Sequence, residues 1–291
     1  MGFFESLKAL FSNKVNISTR FEVVRETISG TMSEFYAARD RNNDQIIGLK
    51  IQDKEKTEAV EGRYKGLKKP TEGEIAINMI HPLIVKTLEH GLTTDDKNYL
   101  VMEYLDGPGL NSLIISKSTL LRGNRLTLLR QAAEALAYVH QQGYIHRDVC
   151  PRNFVCAKDA KSLKLIDFGL SLPAKPDFQQ PGNRVGTPNY LAPEVVRRKK
   201  TDQRVDIFAF GVTAFELFSL DLPWPRGKAS GMDALNHDKM EPRQLTTLCP
   251  KIDPTLAATI MQCLATDPAA RPQTIEKLIE QIKNVKREEV E

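Results

Sequence analysis

Four cysteines are all that the 291-residue chain carries, at positions 150, 156, 249 and 263, and no two stand in a Cys-x-x-Cys spacing. Such a set offers neither a disulfide framework nor a zinc cluster, so free thiols in a reducing compartment are expected. No run reaches the ~18 apolar residues of a membrane-spanning helix, and no signal-peptide pattern opens the chain. An excess of charge is missing too. Lys and Arg number 41 against 37 Asp and Glu, and the basic residues gather only in short runs such as Lys68-Lys69 and Arg197 to Lys200. Without a long basic stripe, no nucleic-acid partner is expected. These absences describe a cytoplasmic globular protein. Its 41% of hydrophobic residues suffices for one sizeable core or two lobes.

The opening residues, "MGFFESLKALF", place Phe3, Phe4, Leu7, Leu10 and Phe11 at helical spacing. They predict an amphipathic helix within an N-terminal extension over 1–20. The same residues match the Met-Gly-x-x-x-Ser pattern for acylation of Gly2. Two readings stay open: the helix packs on the body of the protein, or residues 2–11 attach it peripherally to a membrane or a partner.

From residue 21 to 52 the pattern is that of strands. "RFEVVRETI" alternates, "EFYAARD" follows a Gly-containing turn, and "IIGLKIQ" resumes after the polar "RNNDQ". Residues 54–70 are polar and charged, after which "TEGEIAINMI" sets Ile75, Met79 and Ile80 at helical spacings until His81-Pro82. "NYLVMEYL" is a compact strand stopped by "DGPG". From about 120 a Leu- and Ala-rich helix runs to Gly143. "NFVCA" and "LKLIDFG" form a small hairpin, 170–190 an irregular loop, and "VDIFAFGVTAFELFSL" a helix apolar nearly all round, hence buried. Two helical segments, at about 255–266 and 273–285, complete the chain. The organisation is strand-rich to about 100 and helical beyond, an α+β class.

"HRDVCPRNF", residues 146–154, concentrates polar chemistry: Asp148 and, five positions later, Asn153. Those two are candidates for the base and a metal ligand of a phosphoryl-transfer enzyme. "DFG" follows at 167–169 and "APE" at 192–194, with a glycine turn upstream and Lys50 in an apolar strand. Any one of these triplets is a weak signal. In this order and spacing, the chain from about 21 to about 283 resembles a eukaryotic-type protein kinase. The resemblance implies a bilobal fold, with an N-lobe over about 21–104 and a C-lobe over about 105–285; the polar residues 286–291 read as a loose tail.

It also implies roles. Asp148 orients the substrate hydroxyl and accepts its proton; Asp167 and Asn153 hold Mg²⁺, with Mn²⁺ as a substitute; Lys50 meets the α/β-phosphates of ATP. A buried Lys needs an anion, and counting back from His81-Pro82 puts its helix partner at Glu72, with Glu74 as the competitor. Around the adenine, Phe35 is the lid, Gly48 a small neighbour, Val155 the floor and Met102 the guard at the back. Backbone groups of Glu103 and Leu105 read the adenine edge. Glu194 is expected to pair with Arg271, and Asp206 to hold the catalytic-loop backbone.

Two departures from the family stand out. Its three-glycine nucleotide loop maps onto Ile28, Gly30 and Ser33, so only the middle glycine is kept. The loop retains backbone donors but loses freedom, which implies weaker or slower nucleotide handling. The second is Cys150, where Ser/Thr enzymes of the family carry a Lys on the transferring phosphate. Arg152, just before Asn153, is placed to supply that cation instead; a reactive thiol at Cys150 is the other reading, which needs a low pKa. "GTPNYLAPE" resembles the Ser/Thr branch, with Thr187 bonded near the catalytic Asp. The expectation is an ATP-dependent kinase acting on Ser/Thr of protein substrates; a pseudokinase or nucleotide-binding scaffold with little turnover is the alternative. Between Leu172 and Gly186 there is no Ser, Thr or Tyr, so activation by phosphate there is not expected. Oligomeric state is not assigned by anything in the sequence.

Overall fold

In a computed structural model of the chain, the structure describes residues 14–26, 32–64, 66–182, 184–225 and 239–288. Residues 2–11 of the expected opening helix therefore lie outside the described residues, as do Ile28 and Gly30. Two compact units divide the chain: Met1–Ile80 with Val85–Leu105, and His81–Ile84 with Asp106–Glu291. The first is built on strands and the second mainly on helices, so the α+β class holds.

The first unit is a five-stranded antiparallel sheet: β1 (Phe21–Glu26), β2 (Ser33–Asp40), β3 (Gln45–Gln52), β4 (Thr87–Leu92) and β5 (Asn98–Glu103). Their spatial order is β1-β2-β3-β5-β4. The β2–β3 hairpin turns through polar "RNND", where Asp44 adopts φ 61° and donates its N–H to the Asp40 carbonyl at 2.8 Å. Phe21, Ala38, Ile47, Leu49, Tyr99 and Val101 form the core on one face. A single helical turn, α1 (Ile17–Arg20), leads into β1. Arg20 clamps that entry, with one fork on Asp40 at 2.8 Å and the other on Glu89 at 2.7 and 2.8 Å. Tyr99 donates its hydroxyl to the same Glu89 at 2.5 Å.

Two short helices decorate this sheet. α2 (Lys54–Glu61) begins at Asp53, whose side chain accepts from the Lys56 N–H. α3 (Glu72–Ala76) is shorter than the spacing of "TEGEIAINMI" suggests. Its backbone leaves the helical path after Ala76, so Ile75 and Met79 are buried while Ile80 is 79% exposed.

In the second unit, α4 (Leu110–Ile115) precedes the long α5 (Arg125–Gln141). The helix read from about 120 starts only at Arg125, because Gly123, at φ 77°, breaks the chain direction first. Asn124 gives α5 no side-chain cap. Glu288 does so from the other end of the sequence, accepting from the N–H groups of Gly123 at 2.5 Å and Leu126 at 2.8 Å. At this residue the tail expected to be loose is tied down.

After β6 (Tyr144–Ile145), β7 (Phe154–Cys156) and β8 (Leu163–Leu165) form the expected hairpin, and β9 (Leu172–Pro173) returns to β6. α6 (Pro193–Val196) is followed by α7 (Arg204–Ser219), which is buried from Val205 to Phe218. A helix apolar all round has no water-facing side. α8 (Leu245–Leu248), α9 (Pro254–Cys263) and α10 (Ile275–Ile282) pack beyond it.

Candidate active site

The first unit holds Lys50 and Glu72. Lys50 lies on β3 and its Nζ is 2.7 Å from Glu72 Oε1; both side chains are buried. The neighbouring Glu74 is occupied elsewhere. It closes a capping box with Thr71 at the start of α3, accepting the Thr71 N–H at 2.7 Å. That bond comes first among the causes that hold the Glu74 carboxyl below the usual range.

On the same sheet Gly48 pairs with Met102 across β3 and β5, and with Ala37 across β2. A Cβ at Gly48 would come within 3.0 Å of the Phe35 ring, so the absent side chain lets that ring close over the strand. Met102 is buried, and Glu103 and Leu105, half-buried, follow it at the end of the sheet. Ser33 opens β2 opposite Gln52.

In the second unit the loop between β6 and β7 is fixed from below by Asp206, fully buried near the start of α7. Its carboxylate accepts the N–H groups of His146 and Arg147, each at 2.7 Å, and meets His140 Nε2 at 2.8 Å. Burial works against that charge. The His140 hydrogen bond and charge and the backbone donors outweigh it, so the carboxyl stays below its ordinary value. Held this way, the backbone takes a left-handed step at Arg147, φ 69°, and sets up Asp148.

Asp148 is bonded on both oxygens. Thr187 donates its hydroxyl to Oδ1 at 2.8 Å and its N–H to the same atom at 2.9 Å. Asn153 donates Nδ2 to Oδ2 at 2.9 Å and to the Asp148 carbonyl at 2.7 Å. Gly186, at φ 130°, brings Thr187 in: a Cβ there would sit 2.9 Å from the Arg147 carbonyl. Asp167 is also left-handed, φ 66°, and accepts the Gly169 N–H at 2.9 Å. The Ile166 N–H donates to the Asn153 carbonyl at 2.9 Å, tying the segments of Asp167 and Asn153 together. Val155 follows on β7, half-buried.

These side chains suit a hard cation. Asn153 spends its Nδ2 on Asp148, which leaves the amide oxygen as its remaining donor to a metal. Asp167 brings a carboxylate whose Oδ1 is fixed by Gly169. Magnesium is bound through one or two carboxylates together with substrate phosphates, not through an all-protein cage. Among the described residues no cluster of three or more His, Cys, Asp or Glu is set to hold a metal by itself.

Cys150 is 1% exposed, with its sulfur 3.7 Å from Thr187 Oγ1. Burial, reinforced by the Asp148 charge, pushes its thiol up to about 12. Burial and the raised thiol both count against the reactive-thiol reading, which needs a low pKa. Arg152 is exposed, on the single 3-10 turn Pro151–Asn153. Further along, Arg271 grips Glu194 with both terminal guanidinium nitrogens, at 2.7 and 2.8 Å, and donates its Nε–H to the Ala265 carbonyl at 2.8 Å. Sequence reasoning missed one buried partner, Gln52, whose Nε2 reaches Glu72 Oε2 at 2.5 Å. Its signal was a polar residue two positions after Lys50 on the same strand face.

Residues 21–284 match the family model described as protein kinase domain, and the chain belongs to that family. It is 31% identical over 273 residues to the serine/threonine-protein kinase pkn2 of Myxococcus xanthus, covering 89% of this chain and 31% of that protein. Against the serine/threonine-protein kinase PrkC of Bacillus subtilis it is 29% identical, over 92% of this chain and 40% of that protein. Serine/threonine-protein kinase 1 of Arabidopsis thaliana is 29% identical over 90% of this chain and 30% of its own length. The chain thus spans less than half of each of these three curated relatives. No helix among the described residues is long and apolar enough to cross a membrane.

Proposed function

We propose that this chain catalyses ATP-dependent phosphoryl transfer to Ser and Thr hydroxyls of protein substrates. The observation that carries the proposal is the arrangement at Asp148. Its carboxylate is oriented by Thr187 and Asn153, yet four donor bonds do not exhaust a carboxylate and its backbone carbonyl. Oδ2 carries one of those bonds and retains a lone pair for an incoming hydroxyl. Such an oxygen orients the hydroxyl and accepts its proton, a task that needs reach more than a raised pKa.

The remaining roles follow residue by residue. In the first unit Lys50, paired with Glu72, presents its ammonium to the phosphates, and the β3–β5 strands carry the adenine-facing groups around Gly48, Met102, Glu103 and Leu105. In the second, Asp167 and Asn153 hold the divalent cation, and Arg152 supplies the positive charge that Cys150 does not. ATP with Mg²⁺ or Mn²⁺ supplies the phosphoryl group and neutralises its charge. Thr187 serves as the Ser/Thr-type clamp on Asp148, which supports Ser/Thr as acceptors.

The test is turnover of Mg²⁺/ATP with a generic protein substrate, comparing wild type with Asp148→Asn and Lys50→Met. Wild-type turnover at least a hundredfold above both variants, with phosphoserine or phosphothreonine as product, is expected (~10²–10⁴ for a general base). Wild-type turnover no higher than either variant would overturn the proposal, and nucleotide binding without turnover would select a scaffold instead.

A further inference from the structure

The ion pair with Lys50 uses one carboxylate oxygen of Glu72, and Gln52 holds the other. Because a carboxylate only accepts, the Gln52 amide presents its NH₂ to Oε2, at 2.5 Å. All three side chains are buried, at 5% exposure for Glu72, 6% for Lys50 and 7% for Gln52. Lys50 and Gln52 are alternate residues of β3, so the pleat sends both to the face where Glu72 stands.

A second donor matters because α3 is short, held by its capping box and the buried Ile75 and Ala76 but with no further turn to fix the direction of Glu72. The helix has five residues, little more than one turn, too short to be stable without tertiary contacts. Gly73, directly after Glu72, lets β4 approach so closely that a Cβ would lie 2.5 Å from the His90 ring. No side chain at 73 wedges the helix against the sheet. One point of attachment at Oε1 would leave the Glu72 carboxylate free to rotate about its bond to the chain; two donors from one strand fix its plane. Gln does this without charge. A second cation in its place would compete with Lys50 for the single negative charge of Glu72.

We propose that Gln52 is a positioning residue for the Lys50–Glu72 pair, keeping it formed before nucleotide arrives. The inference rests on the phosphotransferase reading above for its catalytic consequence, but not for its geometry.

Two variants and two readouts test it on the full chain. Gln52→Leu removes the donor at similar volume. Its kcat with Mg²⁺/ATP is expected to fall about ten- to a hundredfold, the range for a lost hydrogen bond to a charged group, with KM for the protein substrate unchanged. Gln52→Glu keeps the shape and makes the donor titratable. At acid pH the introduced carboxyl carries a proton and donates as the amide did; as pH rises both carboxyls ionise and repel. The ratio of variant to wild-type kcat/KM for ATP is expected to fall as pH rises. Lys50 on β3, Glu74 on α3, Lys69 before it, and His90 on β4 are charged or titratable neighbours. On β5, Tyr99 is bonded to Glu89 and Glu103 to the Lys86 N–H. All are present in the wild type, whose profile is therefore the reference. Independently of activity, Gln52→Leu is expected to raise acetic-anhydride labelling of Lys50 severalfold, read by mass spectrometry with a melting curve as the folding control. Unchanged Lys50 labelling, or a pH ratio that stays flat, overturns the inference. A wild type without turnover, but with labelling that rises in the variant, leaves Gln52 as a positioning residue and overturns the phosphotransferase reading instead.

Discussion

Thr187 places both of its donors, the hydroxyl at 2.8 Å and the backbone N–H at 2.9 Å, on one oxygen of Asp148. Asn153 takes the other oxygen, so the carboxylate cannot rotate without breaking a bond on either side. Losing the hydroxyl should therefore loosen Asp148 rather than remove it. Thr187→Val is expected to lower kcat about tenfold or more while the backbone bond persists, given ~1.5–3 kcal/mol for a hydrogen bond to a charged group. Thr187→Ser, which keeps the hydroxyl, should stay within a few-fold of wild type. Steady-state kinetics on the two variants decides the point, and a loss in Thr187→Ser as large as or larger than that in Thr187→Val would show that the hydroxyl is not what holds Asp148.

How much of this was legible in the sequence depended on the kind of signal. Strands β1 to β3 and the buried α7 announced themselves through period and composition. α2 did not, because "KEKTEAVE" has no apolar stripe and is started by the Asp53 cap alone. β4, "TLEHGL", was also invisible, since its only strong credential is pairing with β5. Spacing suggested a helix up to Ile80, yet a helix that stops at Ala76 still buries Ile75 and Met79. In the candidate site, the ordered motifs located Asp148, Asn153, Asp167 and Lys50. Counting back from His81-Pro82 favoured Glu72 as the Lys50 partner but left Glu74 as a competitor, because the capping box that engages Glu74 is a matter of where the helix begins. Gln52 and Glu288 act through partners 20 and 162 residues away, and nothing local marks them.

The buried thiols carry a pH signature. Cys150, Cys156 and Cys263 are pushed up to about 12 from the ordinary 9.0, in each case chiefly by burial. A folded pKa raised above the unfolded one means that the folded state holds the proton longer. The contribution is complete below pH ~9 and is lost as pH rises from there toward 12, because unfolded thiols ionise first. Urea midpoints are expected to fall steadily from about pH 9 to about pH 11, and Cys150→Ala should make that fall shallower. In the folded protein at pH ~8, Cys150 should also resist iodoacetamide until denaturant is added. Rapid alkylation of the native protein would contradict the burial.

Glu288 makes the C-terminal segment part of the fold. It supplies the cap that Asn124 does not, and Arg130 adds to the tie by donating to the Ile282 and Val285 carbonyls at 2.9 and 2.6 Å. Glu288→Ala is expected to cost about 1 kcal/mol, as for other lost N-caps, and Glu288→Gln less because it keeps an acceptor oxygen. Chemical denaturation of both variants measures this. A chain ending at 285 should lose at least as much as Glu288→Ala.

The hydroxyls that flank the empty stretch 172–186 are both engaged. Ser171 is fully buried with its hydroxyl 3.4 Å from the His146 carbonyl, and Thr187 is bonded to Asp148. A phosphate on either would require breaking the catalytic loop's own contacts. Phosphatase-treated enzyme is therefore expected to turn over as fast as untreated enzyme, with no phosphosite mapped from 171 to 187. Activity that depends on a phosphate in that segment would show that the loop opens in a way these contacts do not permit.

Arg152 is the sharpest test of how the site manages without the catalytic-loop Lys. Cys150, in that Lys position, is buried and neutral and touches Thr187 instead of solvent. Arg152 is exposed on the turn that ends in Asn153, so its backbone is held by the N–H of Asn153 donating to the Cys150 carbonyl at 3.0 Å. A side chain so exposed contributes little to folding, and the proposed role assigns it to the charge that develops during transfer. Arg152→Ala should thus leave the melting temperature and ATP affinity near wild type while lowering kcat a hundredfold or more, as expected when a preorganised charge at a transferring phosphoryl group is lost (~10²–10³). Arg152→Lys should recover part of the loss, since it restores the charge but not the planar fork. If Arg152→Ala keeps full kcat, the cation has not moved to this position and the site works without one.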